Sequence, residues 1–160
     1  MHKFFLRNNQ LIVTLFSIGN IKFAPGTIGS LISLIILSII YNFVSYAIFI
    51  ILFFIIIIIS NYSIKLYIEN IIDKDAPEII IDEFLGCYLI IIFYHYFDKI
   101  NILLLYIFSF LIFRFFDILK IFPINLIDRR FKNPLGIILD DLIAAFYTII
   151  ILFVLNTYVF

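Results

Sequence analysis

Three clusters of charge lie within or at the edge of the apolar runs of a chain of 160 residues. Asp82-Glu83 falls inside one apolar run, Arg114, Asp117 and Lys120 recur at three-residue spacing, and Asp140-Asp141 opens the last apolar stretch. Placing Asp, Lys or Arg at the centre of a membrane helix costs roughly 2.5–3.5 kcal/mol on insertion scales, so charges kept there pair or do chemistry. Neighbouring helix residues point about 100° apart. Asp82 and Glu83 therefore cannot share a direction, and one can bind a metal while the other bonds a base or a lysine. Arg114 and Asp117 are spaced for an ion pair on one helix face that also carries Lys120. Each cluster has a simpler reading by itself. Asp82-Glu83 can flank a span, Lys120 can snorkel beside a structural pair, and Asp140-Asp141 suits a helix N-terminus.

Together the clusters are oxygen-rich. Cys87 is the single cysteine, and His2 and His95 lie far apart, so thiolate and His-rich zinc sites are disfavoured. Hard carboxylate ligands suit Mg²⁺ or Mn²⁺. Arg and Lys beside them suit a phosphate. The loop Phe23-Ala-Pro-Gly-Thr-Ile-Gly-Ser30 precedes an apolar run, and free N–H groups at such a helix start can hold phosphate oxygens. These features point to phosphoryl chemistry on a membrane-adjacent substrate. A transporter or proton/ion pathway would also keep intramembrane carboxylates, but no inverted repeat is visible.

The elements positioning these residues are apolar helices. Hydrophobic residues make up 65% of the chain and its mean hydropathy is +1.21, far beyond a soluble domain of this size. Ile, Phe, Tyr and Asn share AT-rich codons, so charge-free run length is the safer signal. No charge occurs between Lys22 and Lys65, enough for two helices broken near Tyr41-Asn42-Phe43. Asp75-Ala-Pro-Glu78 carries N-cap signals and predicts a helix from about Ala76 to Phe97. A further run spans about Ile100 to Lys120, and Pro123 ends or kinks it. A polar turn is expected over Asp128–Pro134, then a last helix from near Gly136. The expected fold is all-α: a multi-pass membrane protein with four to five apolar helices in one bundle and a single domain over 1–160. The short N-terminal apolar core lacks a small-residue cleavage site and reads as retained. Net charge is zero and no basic stripe suggests nucleic acid. Positive residues near the N-terminus and at Arg129-Arg130-Lys132 place those regions on the cytoplasmic side by the positive-inside rule.

Four blocks resemble the bacterial phosphatidylglycerophosphatase A family: Ala24–Ser30, Ile81–Gly86, Phe113–Lys120 with its continuation to Arg130, and Leu135–Ala144. They occur in the family's order and approximate spacing. Ile121, Lys132-Asn-Pro134 and Ala145 depart from its pattern without touching a carboxylate. The resemblance implies a Mg²⁺-dependent phosphatase of the bacterial inner membrane. Its lipid substrate would be phosphatidylglycerophosphate, met at the cytoplasmic face and converted to phosphatidylglycerol. It implies Asp82, Glu83, Asp117 and Asp128 as catalytic candidates and Asp82, Glu83, Asp140 and Asp141 as metal ligands. Arg114, Lys120, Arg129, Gly26 and Thr27 become candidate substrate contacts.

Overall fold

The computed structural model describes residues 9–70, 77–131 and 133–159. Among these the regular elements are all helical: α1 (Pro25–Phe43), α2 (Tyr46–Glu69), α3 (Ile81–Ile92), α4 (Ile102–Leu119), α5 (Ile124–Arg130) and α6 (Pro134–Tyr158), with 3₁₀ turns at Ile18–Asn20 and Tyr94–Tyr96. Residues 9–13 are also helical.

Four of these helices, α1, α2, α4 and α6, are long and apolar enough to cross a bilayer. Their outer faces leave residues such as Phe43, Ile58, Leu103 and Phe146 exposed, as expected of surfaces solvated by acyl chains. Helix α3 is only 12 residues long and is apolar on nearly every side. Such a helix belongs inside a bundle, and α3 packs against α6, α1 and α2 while α4 lies along α6. Ile81, Leu85, Cys87, Ile90 and Ile91 are accordingly buried. Small residues allow the close approaches. A β-carbon on Gly86 would lie 2.7 Å from the Phe113 ring and 3.2 Å from the Asp141 carbonyl, so α3 meets α4 and α6 at this point. Ala144 and Ala145 are fully buried on α6.

Local chemistry sets the helix ends. Asn101 and Asn133 accept hydrogen bonds from Leu103 N–H and Gly136 N–H, capping α4 and α6. Pro134 occupies the first turn of α6. Lys120 takes a left-handed backbone (φ 44°) and closes α4. The first long helix breaks at Val44–Ser45, close to the expected place.

Three expectations need correction. The third helix begins at Ile81, not Ala76, and ends at Ile92 before the Tyr94–Tyr96 turn. Asp75 and Ala76 lie outside the described residues, while Pro77 and Glu78 form a turn. The reason is tertiary. Gly19 presses against the Glu78 carbonyl, Ile80 N–H donates to Val13 O at 3.1 Å, and the Glu78 carboxylate accepts from the Tyr67 hydroxyl. Those bonds hold the 78–80 backbone against the N-terminal segment. Asp128–Arg130, expected in a turn, complete the short helix α5, and α6 begins at Pro134, one half-turn before Gly136.

Candidate active site

The start of α1, the first turn of α3, the end of α4, α5 and the first half of α6 converge on a cavity of about 420 Å³. Its walls carry six carboxylates, Asp82, Glu83, Asp117, Asp128, Asp140 and Asp141, against two cations, Arg114 and Lys120. Gly26 and Thr27 form part of the rim, and their amides lie in a first helical turn that has no intrahelical acceptor for them.

Each cation serves two acids. Arg114 Nη1 pairs closely with Asp117, lies 3.7 Å from Glu83 Oε1 and 3.3 Å from the Ser30 hydroxyl. Ser30 donates in turn to the Gly26 carbonyl at 2.6 Å, so the guanidinium is tied to the loop that forms the rim. Lys120 Nζ reaches Asp128 at 2.5 Å and Asp140 at 3.1 Å, joining α4 to α5 and α6. Burial opposes the charge on Lys120, but the two carboxylates outweigh it and hold its pKa above the ordinary lysine range.

Of the four acids not bonded to Lys120, three converge: Asp82, Glu83 and Asp141. One carboxylate oxygen from each lies within 4.8 Å of the others. Octahedral ligands at 2.0–2.1 Å from Mg²⁺ stand roughly 3–4 Å apart, so the trio suits a small hard cation with positions left for oxygens of water or substrate. Asp82 Oδ1 and Glu83 Oε2 are buried without a hydrogen-bond partner, as is Arg114 Nε. Orphaned buried acceptors are costly, and a divalent cation would satisfy both. Desolvation, then the adjacent Glu83 carboxylate, pushes the Asp82 pKa well up. Desolvation also raises Glu83 to about 7, against the pull of Asp82 and Arg114. Both shifts describe acids crowded together in want of positive charge.

The adjacent Asp82 and Glu83, expected to point apart with one of them on a base or lysine, instead converge, because flexible carboxylate side chains can bend toward one point from neighbouring positions. The expected site residues are thus brought together with two exceptions. Asp140 does not join the converging trio: its carboxylate bonds Lys120 and the Asp141 N–H. Arg129 lies away from the acidic cavity, lining a separate hollow with Phe122, Asn125, Leu126 and Arg130. Adjacent residues on α5 point about 100° apart, so Asp128 facing the acids turns Arg129 away. Ser30 entered the sequence reading only as the last residue of the loop Phe23–Ser30. Its place four residues after Gly26, where a serine hydroxyl can back-bond to the i−4 carbonyl, is the signal that could have marked it.

The family described as Phosphatidylglycerophosphatase A matches residues 11–156. The phosphatidylglycerophosphatase A of Haemophilus influenzae is 33% identical over 147 residues, covering 92% of this chain and 88% of that protein. No solved structure matches the chain significantly. With the four sequence blocks folded around one acidic cavity, the chain belongs to the phosphatidylglycerophosphatase A family.

Proposed function

We propose that this protein hydrolyses the terminal phosphomonoester of phosphatidylglycerophosphate, giving phosphatidylglycerol and phosphate, with Mg²⁺ held by Asp82, Glu83 and Asp141. The observation that carries the reading is the convergence of these three carboxylates, with two orphaned oxygens among them, beside an arginine with a free Nε–H.

Bound there, Mg²⁺ would supply Lewis-acid neutralisation of the phosphate's charge. The remaining work falls to the chain itself. Arg114 is held at the cavity wall by Asp117 and Ser30, which fixes its guanidinium where it can face a phosphate. The amides of Gly26 and Thr27 offer further donors at the N-terminus of α1. Lys120 keeps Asp128 and Asp140 paired, so only part of the acidic charge confronts an incoming anion. Asp117, Asp128 and Asp140 line the cavity outside the metal trio and are the carboxylates able to accept a proton from the attacking water. A covalent aspartyl-phosphate is the chemical alternative.

The basic residues Arg129 and Arg130 stand at the end of α5, beside the cavity-lining Asp128. The positive-inside rule favours the cytoplasmic side for these arginines, which supports a cavity facing the cytoplasm from the bacterial inner membrane. The test is phosphate release from phosphatidylglycerophosphate by purified protein with and without Mg²⁺. Release that requires the metal supports the reading. A transporter or a purely structural subunit would release none.

A further inference from the structure

Below the acidic cavity, α1 and α4 enclose an apolar groove of about 390 Å³. Leu31, Leu34 and Ile35 line it from α1, and Ile107, Phe110 and Leu111 from α4. Its one serine, Ser38, spends its hydroxyl on the Leu34 carbonyl at 2.6 Å, and Tyr106 is the other hydroxyl-bearing residue of an otherwise hydrocarbon wall.

The groove continues the site. Thr27, Leu31, Leu34, Ile35 and Ser38 recur at the three- and four-residue intervals of one helix face, and so do Arg114, Leu111, Phe110 and Ile107. The first member of each series lines the acidic cavity and the others line the groove. Arg114 and Ser30 join the two helices where the cavities meet. From Leu31 to Ile39 the groove runs about 12 Å along the helix axis, most of the roughly 15 Å depth of one leaflet.

We infer that this groove seats an acyl chain of the same lipid whose phosphate enters the acidic cavity, making α1 and α4 the specificity surface for a lipid over a soluble phosphomonoester. The inference rests on the phosphatase reading above and adds the chain-binding half of the substrate site. A phosphate drawn to the Gly26–Arg114 level places its glycerol at the join, with the groove as the adjacent apolar path.

The experiment fills the groove. Ile35→Trp and Ile107→Trp put bulk on exposed groove walls, and Ile58→Trp puts the same bulk on the outer face of α2 as control. The measured quantity is kcat/KM for long-chain phosphatidylglycerophosphate divided by that for a short-chain, water-soluble analogue. This ratio is expected to fall about tenfold in the groove variants and to stay near wild type in Ile58→Trp. An unchanged ratio, or an equal fall in all three, overturns the groove while leaving the phosphatase reading intact. Wild-type protein that cleaves neither substrate contradicts both. A binding arm covers variants that lose all activity. The chain has no native tryptophan, so Phe110→Trp is a single reporter. In metal-free micelles its fluorescence should be quenched by brominated-chain phosphatidylglycerophosphate at a lower mole fraction than that of Ile58→Trp. Equal quenching overturns the inference. So does a Phe110→Trp signal that follows protein concentration instead of lipid, which would place a second copy of the chain in the groove.

Discussion

A β-carbon on Gly26 would strike the Glu83 carboxylate. The backbone at the start of α1 and an acidic side chain of α3 therefore share one small space, and the obstacle is the end of a flexible side chain. Gly26→Ala should displace Glu83 more readily than it disturbs the fold. The expected outcome is a Mg²⁺ half-saturation for phosphate release raised about tenfold, in the range seen when metal-ligand geometry is loosened. The thermal midpoint of the metal-free protein should move little. A metal titration of activity beside a melting curve checks both.

Gly86 gives the opposite pattern. An added methyl would meet the Phe113 ring at 2.7 Å and the Asp141 backbone at 3.2 Å. Neither can swing clear, because Phe113 is fully buried and Asp141 is held within α6. Gly86→Ala is expected to destabilise the bundle by about 1–3 kcal/mol, as overpacking does. Thermal unfolding in detergent measures it. A midpoint equal to wild type would contradict the close approach of α3, α4 and α6.

Arg114 is expected to resist conservative exchange. Its Nη1 is committed to Asp117 and Ser30, leaving the rest of the cavity-lining guanidinium for a substrate oxygen. A lysine carries the charge at one point and cannot keep the tie while making the new bond. Arg114→Lys should lower kcat about 100-fold, comparable to losing one preorganised donor at a developing oxyanion. Steady-state kinetics at saturating Mg²⁺ isolates the effect.

The acids also predict how stability follows pH. Glu83 is raised from 4.5 to about 7, chiefly by desolvation, and Asp82 is raised too. The folded protein then holds more protons than the unfolded chain between the ordinary carboxylate range and about pH 7. Stability must fall as pH rises through that window. Metal-free protein in detergent should show a declining melting temperature from about pH 4.5 to pH 7.5. Added Mg²⁺ should offset the decline at the upper end, because it binds the deprotonated acids.

Much of this was legible in the residues themselves. Charge-free runs located the long helices because bilayer thickness imposes a minimum length that composition cannot disguise. The acids of Asp82-Glu83 and Asp140-Asp141 stood out because charge in such a chain is costly. Which member of the second pair joins the trio was not legible. Adjacent residues differ by about 100° in direction, and helix phase depends on packing that Ala144, Ala145 and Gly86 achieve only in three dimensions. Asp140 met Lys120 for that reason, and Arg129 turned from the cavity that Asp128 faces. The start of α3 was obscured differently. Asp75-Ala-Pro-Glu78 reads as a strong local cap, but Gly19, Val13 and Tyr67 engage the Glu78–Ile80 stretch, and tertiary contacts override local propensity.

The central claim is that Asp82, Glu83 and Asp141 act as one cation-binding unit in phosphate release. Mg²⁺-dependent release from phosphatidylglycerophosphate by purified Asp82→Asn and Asp141→Asn tests it most directly, since each exchange removes a negative charge while keeping the side-chain shape. Loss of Mg²⁺-dependent release in both folded variants is the expected result. Full activity in both would contradict the claim.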